Sequence, residues 1–427
     1  MKKLLGVLLA VAMSWPASAT VLKNVEVKGE IQTIASDVRH QIDNEAGQAQ
    51  YNSGAWTRAM AGLSADLVED VTVNLLAQYG YNWGNNNENG YGFGANDDNK
   101  VRIVNANVAL HNLFCAFDLT VGRQFYGDED SAVMYFGPNH YNAEGGMYAQ
   151  ALDAAKLVYS DDVKTFTLMG GKIADNGTDE DGDFFVAGSK YNAKAAIMGA
   201  DLKYHFTNAL MAQAYVYNIN NMRVKDENGV ELTQERDNAN LGLYGAKVTF
   251  APEAFRLSAE YARNYGGHRL FREHKDTGHM FKADIAADIK AVTARGTFLY
   301  ANEGFYAFGN YTPGLLVGHK LGGAIWDYSA DGVRMFNLGF DMKPFEKWTV
   351  SLDGYAFQGS RGHHSATLEA DLTAKYAHNE YVELFAGIGY AKYGTETRKG
   401  NRTSDFTKDF SGRADNVKGQ LGMLIKF

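Results

Sequence analysis

Glu369, Asp371, Thr373 and Lys375 recur at every second position, with Leu368, Ala370, Leu372, Ala374 and Tyr376 between them. Side chains two apart share one face of an extended strand. The stretch therefore presents two carboxylates and an amine on one side and apolar groups on the other. Charges in such a row hold water and meet ions or polar solutes; they do not form a catalytic set. The same alternation runs through Val71 to Tyr81, Phe255 to Tyr261, Phe281 to Ile289 and Val382 to Tyr390. A helix does not keep period two for so long.

Parity of the apolar residues points Arg58, Lys203, Lys247, Arg256 and Arg295 to the polar side. Glu260, Asp284, Asp353, Glu369 and Asp371 face the same way, as do Asp201, Lys282 and Glu383. Charges on an enclosed wall imply water there, because an unpaired ion in a dry interior costs on the order of several kcal/mol. The expectation is an aqueous lumen whose crossed charges orient small solutes. For any one residue the alternative is a cross-strand salt bridge that only supports the wall.

A second set takes the apolar parity near the ends of long loops: Arg39, Arg102, Arg123, Lys194, Arg263, Arg334 and Lys392. A cationic ring there would face the phosphates of lipopolysaccharide while its stems lie along lipid. A local bulge is the alternative, and Arg123 is the first candidate to be returned to the lumen that way.

Other chemistry is weakly represented. Asp179-Glu180-Asp181-Gly182-Asp183 evokes a calcium loop, but Gly177 and Gly188 stand where ligands are needed. His268, His274 and His279 lack a spacing that converges on zinc, and His363-His364 reads as a solvated pair. Gly314 to Lys320 has neither the Gly-Lys pair nor the hydroxyl of a phosphate loop. Cys115, on the lipid-facing parity, reads as a small hydrophobe. No nucleophile–His set or acidic dyad is recognisable, so the expectation is no enzyme, no metal and no cofactor.

The elements that hold these residues are strands of about ten residues. Candidates are 25–38, 54–67, 71–83, 100–111, 114–124, 148–160, 163–174, 193–206 and 209–219. The second half adds 239–250, 255–265, 279–288, 291–301, 332–342, 347–358, 366–377, 380–392 and 417–427. Short turns and long loops alternate between them, with long loops at 39–53, 84–99, 125–147, 175–192, 220–238, 266–278, 302–331, 359–365 and 393–416. The fold class is thus all-β, a transmembrane antiparallel β-barrel of about 18 strands. Short turns belong to its periplasmic side and long loops to its extracellular side. The terminal strand ending on Phe427 suits an outer-membrane barrel.

Residues 1–19 read as a secretory signal peptide: Lys2 and Lys3, an apolar run from Leu4 to Met13, then Ala17-Ser18-Ala19. The barrel would occupy 20–427 as one domain. The chain has 46 Gly, 25 Tyr, 24 Phe and 5 Pro, a composition suited to strands and girdles rather than separate cores. A net charge of −9 argues against nucleic acid as a partner.

Three blocks resemble the bacterial alginate-export family and related eighteen-stranded porins. They are Leu119 to Gln124 followed by Tyr126-Gly127-Asp128, then Glu346 to Tyr355, then Leu368 to Tyr376. The resemblance implies an outer-membrane channel. Family members selective for an anionic polysaccharide line the lumen with arginines, whereas the charges here are mixed.

The expected function is passive diffusion of ions and small hydrophilic solutes through an outer-membrane pore. A selective channel for an acidic polysaccharide or oligosaccharide is the alternative within transport. A structural or adhesive surface protein is the alternative from another class. Expected partners are outer-membrane lipids including lipopolysaccharide and small solutes, with a homo-oligomer open. Loop 125–147, carrying Asp128-Glu129-Asp130, is a candidate to fold inward and favour cations. Loop 302–331, with Phe305, Tyr306, Phe308, Tyr311, Leu315, Leu316, Val317 and Trp326, is too apolar to stay loose in water. It would fold over or into the mouth, or meet a neighbouring subunit.

Overall fold

The computed structural model describes residues 22–40, 50–83, 101–141, 149–173, 183–186, 189–192, 196–222, 224–225, 239–265, 278–302, 305, 307–309, 311, 313–316, 333–358, 366–392 and 415–427. Eighteen antiparallel strands form one sheet. They are β1 (Lys23–His40), β2 (Gln50–Val68), β3 (Val71–Asn82), β4 (Val101–Leu113), β5 (Phe117–Gln124) and β6 (Leu152–Ser160). Next come β7 (Lys164–Ile173), β8 (Ala196–His205), β9 (Leu210–Met222), β10 (Ala239–Phe250), β11 (Phe255–Tyr265) and β12 (His279–Ile289). The last are β13 (Val292–Ala301), β14 (Val333–Met342), β15 (Trp348–Gln358), β16 (Thr367–Ala377), β17 (Val382–Lys392) and β18 (Asp415–Lys426).

Each strand pairs with its neighbours in the chain, and β18 returns to β1 from Glu30–Lys426 to Arg39–Val417. The sheet is therefore closed. Gly29 and Phe427 seal its lower seam with two reciprocal backbone bonds of 2.8 and 3.0 Å. Closure satisfies every ladder partner without a free edge, which a sheet needs in order to sit in lipid.

The two faces of the wall differ as the alternation requires. Phe336, Leu338, Ile285, Ile388, Leu352, Leu372 and Leu421 point outward and are between 47 and 63 % exposed. Gln32, Gln78, Asp353, Glu369, Asp371 and Lys418 point inward and are buried. An apolar outside around a polar inside is the inverse of a water-soluble domain, and it suits a barrel whose solvent is a bilayer.

Short turns gather at one end and are closed by local side-chain acceptors. Asp161 Oδ1 accepts the Val163 and Lys164 amides at 2.9 and 2.8 Å, and Asn379 Oδ1 accepts those of Tyr381 and Val382 at 2.9 Å. These are the turns expected of Asp and Asn at such places.

Some boundaries differ from the sequence reading. β4 runs on to Leu113, and the turn falls at 114–116, not at Asn112-Leu113. Cys115 consequently lies exposed in that turn with φ 64°, not on the lipid-facing wall. The hairpin of β1 and β2 extends into the expected loop 39–53, reaching His40 and restarting at Gln50. The strand expected at 148–160 begins at Leu152. Within the expected loops, Asp183–Val186, Ser189–Asn192 and Val224–Lys225 form a small separate sheet. The expected leader, Lys194 and the acidic run at 179–182 lie outside the described residues, as do Val317 and Trp326.

The largest apolar cluster does not lie within the wall. It joins Ala132, Val133, Met134 and Phe136 to Phe305, Ala307, Phe308 and Leu316, packed against inward residues such as Ile197, Leu299, Met335 and Phe357. Two loop segments thus fold into the barrel and share a core there.

Candidate functional site: a lumen narrowed by two inserted segments

Strand register places the inward charges in two rows. Lys203 is opposite Gln213, Gln213 opposite Lys247, Lys247 opposite Glu260, and Glu260 opposite Lys282. Direct cross-strand partners lie about 5 Å apart at Cβ, so cations and a carboxylate alternate along the wall. Glu260 accepts the Tyr215 hydroxyl at 2.8 Å, and Asp201, one step along β8, accepts Gln213 Nε2.

The second row runs Arg295, Gly339, Asp353, Asp371, Gly389 and Lys418. The two glycines leave room for the charges beside them. A Cβ on Gly389 would stand 2.6 Å from Asp371 Oδ1, and one on Gly339 would collide with the Asp353 carboxylate. Asp353 and Asp371 are directly opposite, an arrangement that like charges resist. Arg295 relieves one of them, with Nη2 3.0 Å from Asp353 Oδ2 and Nε 2.6 Å from Asp341 Oδ2. Asp284 accepts Ser258 and Thr297 hydroxyls at 2.9 Å and lies 3.0 Å from Lys282 Nζ. Arg256 keeps the inward parity but sits exposed near the turn end of β11.

The first inserted segment leaves the wall after Gln124, two residues beyond Gly122, whose φ of 122° only glycine tolerates. Gln124 Nε2 donates to Ala154 O at 2.9 Å and steadies the exit. Tyr126–Gly127 then pairs with Tyr135–Phe136 as a short hairpin inside the barrel. Ser131 Oγ accepts the Val133 and Met134 amides at 3.2 and 3.1 Å across its tip.

A charged knot ties this segment to the wall. Arg58, fully buried, donates Nη2 to Glu30 Oε1 at 2.7 Å and Nη1 to Asn139 O at 3.0 Å. His140 stands between two carboxylates, with Nε2 2.8 Å from Glu30 Oε2 and Nδ1 2.8 Å from Glu129 Oε2. Burial alone would push the imidazole down and the Glu129 carboxyl up. The contacts between them outweigh burial, so His140 lies above the ordinary histidine value and Glu129 below the ordinary carboxylate value. With His140 protonated, the four groups carry no net charge. Beyond the knot, Tyr141 packs edge-on to Phe385 at 5.1 Å and lies 3.4 Å under the Lys375 ammonium.

The second segment meets the first in mid-lumen. Met134 and Phe308 form a parallel bridge, with Phe308 N to Val133 O at 3.0 Å and Tyr135 N to Phe308 O at 2.7 Å. Phe136 stacks on Phe308 at 5.9 Å. Further on, the Leu315 and Leu316 amides each donate to Glu369 Oε1 at 2.7 Å, and Leu315 N also donates to Asp371 Oδ2 at 2.8 Å. Gly314, with φ 82°, makes that approach possible.

Among the described residues, a larger and a smaller cavity lie beside these segments. The larger, about 760 Å³, lies between the first segment and the wall from β6 to β11, and its lining includes Asp128, Asp130, Lys156, Asp201, Lys203, Lys247 and Glu260. The smaller, about 250 Å³, lies on the other side against His140, Tyr141, Leu315, Lys375, Lys418 and Gln420. Lys203 reaches to 3.6 Å from Asp128 of the inserted segment.

The outward cations separate into kinds. Arg263, Arg334 and Lys392 are exposed on the outer face near the long-loop end. Arg39 faces out with Asp37 at 3.3 Å, and Arg123 faces out with Asp153 at 2.7 Å instead of turning into the lumen. Arg102 is the correction. The register of β3 and β4 slips between Leu76 and Ala77, where Leu76 meets Asn105 and Ala77 meets Ile103. The extra residue flips parity, so Arg102 shares the inner face with buried Val104 while Val101 and Ile103 turn outward. Sequence reading also missed Glu30, His140, Lys156 and Asp341. Glu30 and Lys156 lay in strands of weaker alternation, and His140 acquires its role only when its loop folds inward.

No family model and no curated protein matches this chain. Solved structures do. OccAB4 of Acinetobacter baumannii aligns with a TM-score of 0.62 at 11 % identity, over 94 % of this chain and 98 % of that one. The outer membrane protein opdK of Pseudomonas aeruginosa gives 0.62 at 10 % identity, over 94 % and 99 %. OccD3 (OpdP) of the same organism gives 0.61 at 9 % identity, over 98 % and 97 %. The chain has the outer-membrane porin fold. Such identities carry the fold and nothing about the solute. They match the expected eighteen-stranded porin fold and do not show the alginate-export family. The closed wall, its apolar outside and this likeness place the barrel in an outer membrane.

Proposed function

We propose that this barrel is a passive outer-membrane porin for ions and small hydrophilic solutes, and that its inserted segments set what passes. One observation carries this reading: the segment 125–141 and the described residues between 302 and 316 meet inside a charged lumen and leave open space beside them. An interior built only for support would fill its volume. Here Asp128 and Asp130 stay exposed on the segment that borders the larger cavity. Carboxylates at a constriction favour cations, so weak cation preference is the expected selectivity. An acidic polymer fits this lumen poorly, because Asp341, Asp353, Glu369 and Asp371 lie on one arc of the wall, where Arg295 pairs with Asp341 and Asp353.

The deciding experiment is single-channel recording in a planar bilayer under a salt gradient. Stepwise currents with a reversal potential on the cation side are expected. Folded protein that inserts without passing current would defeat the reading and favour a surface role.

A further inference from the structure

The larger cavity is bordered by hydrogen-bonding groups of both kinds that the fold leaves unanswered. Lys156 of β6 and Lys247 of β10 line it, and neither forms an ion pair among the described residues. Gln213 of β9 gives an amide hydrogen to Asp201, while its amide oxygen accepts nothing among the described residues. Thr167 of β7 stands directly opposite Asp201 and brings a hydroxyl to the same space. Across from this wall, Asp130 of the inserted segment is exposed. Donors and acceptors therefore alternate around one volume.

One side of that volume is aromatic. Tyr217 stacks on Tyr215 at 5.7 Å, and Tyr126 of the inserted segment meets Tyr217 edge-on at 6.1 Å. The Tyr126 and Tyr217 hydroxyls are 3.1 Å apart. Gly199 is opposite Tyr217 and Gly245 opposite Tyr215 on the neighbouring strands. A Cβ on Gly199 would stand 2.3 Å from Tyr217 Cδ1, and one on Gly245 would stand 2.5 Å from the Tyr215 hydroxyl. The two rings thus lie across bare backbone, which keeps the cavity open in front of them.

The charge of the lining decides what class of solute suits it. Five carboxylates and three ammonium groups line the cavity, and no arginine does. An anion meets an excess of acid there and finds no planar fork for a carboxylate or phosphate. A simple cation would find the acids but leave Lys156 and Lys247 unanswered. A hydroxyl both donates and accepts, so a ring carrying several of them answers an ammonium and a carboxylate side by side. The C–H face of such a ring suits a tyrosine, which is itself apolar in body and polar at its tip. The volume of about 760 Å³ lies in the ordinary range of small-molecule sites.

We propose that this cavity binds a neutral polyhydroxylated ring, a mono- or disaccharide, as it passes through the channel. The proposal rests on the porin reading above and names the solute class that reading left open.

The test measures binding and passage separately. Folded barrel in detergent is titrated with maltose, with its carboxylated analogue maltobionate and with the zwitterion glycylglycine, binding being read by saturation-transfer NMR. The same protein in a planar bilayer is read for interruption of the salt current by maltose. Wild type is expected to bind maltose in preference to the other two. Tyr126→Leu/Gln213→Leu should weaken maltose binding on the order of tenfold, the equivalent of one or two lost hydrogen bonds. Lys375→Gln, at the smaller cavity, keeps wild-type binding. Retained heat-resistant mobility in electrophoresis certifies the fold of each variant, and the comparison of three ligands on wild type needs no variant. Maltobionate or glycylglycine bound as well as maltose overturns the proposal, as does a double variant that binds like wild type or a Lys375→Gln variant that does not. Salt current without maltose binding overturns this proposal alone, whereas maltose bound by a barrel that passes no current defeats the porin reading and keeps the site.

Discussion

Glu30 is bonded to Arg58 at 2.7 Å through one carboxylate oxygen and to His140 at 2.8 Å through the other. A single wall residue thereby holds a neighbouring strand and an inserted loop at once. Replacing Arg58 with Met would leave two carboxylates in the barrel with only the imidazole between them. Removing one partner of a buried pair costs about 3–5 kcal/mol. The variant should unfold at correspondingly lower denaturant, and its current should flicker as the loop loosens. An unfolding curve superimposable on that of wild type would show that the pair is not structural.

The same knot makes channel behaviour depend on pH. His140 is raised, so its contribution is complete below the unfolded value of about 6.5 and is lost as pH rises through the higher folded value. Glu129 is lowered, so its contribution is complete above about 4.3 and is lost as pH falls through the lower folded value. Glu30, Arg58, Tyr135 and Tyr141 are the other ionisable neighbours of the knot. The loop should be quietest between those two values, with open-channel noise growing on either side. His140→Gln should abolish the alkaline limb and, because His140 is what lowers Glu129, move the acid one to higher pH; noise that ignores this substitution above neutral pH would refute the assignment.

Gly314→Ala tests the anchorage of the second segment. A methyl group there would stand 2.6 Å from Glu369 Oε1 on a backbone with φ 82°. The left-handed conformation alone costs an alanine roughly 1–2 kcal/mol. The segment should lift from the carboxylates of Glu369 and Asp371 and enlarge the smaller cavity. Higher mean conductance with unchanged barrel stability is the expected result, while a conductance equal to that of wild type would place the current elsewhere.

Selectivity should follow the exposed acids of the first segment. Asp128→Asn/Asp130→Asn removes two negative charges from the border of the larger cavity and frees Lys203 from its 3.6 Å neighbour. The reversal potential should move toward the anion side under a fixed salt gradient. No movement would mean that ions take the other side of the bridge between Met134 and Phe308.

Strand number, closure and the inward parity of Arg58, Lys247, Glu260 and Asp353 were legible because alternation is a local property of the chain. The inward turn of the loop after Gln124 was legible as one possibility, and so was that of the segment carrying Phe305 and Phe308. Arg102 was not legible. One unpaired residue near Asn105 reverses every parity beyond it, and no residue type announces the slip. The knot at His140 was also hidden, since Glu30 and His140 are far apart in the chain and meet only after a loop folds back. Cys115 was misplaced because the turn consumes Phe114 to Ala116 in left-handed or tight conformations that sequence alone does not demand.

The reciprocal bonds between Gly29 and Phe427 have a kinetic consequence. The seam they finish joins strands from opposite extremes of the sequence, the most expensive loop to close in the whole molecule. Seventeen hairpin contacts can form by local search, but an open sheet in lipid exposes two unsatisfied edges until the eighteenth contact is made. Assembly should therefore be slow and all-or-none at its last step. A chain delayed there is vulnerable to pairing its edges with another copy.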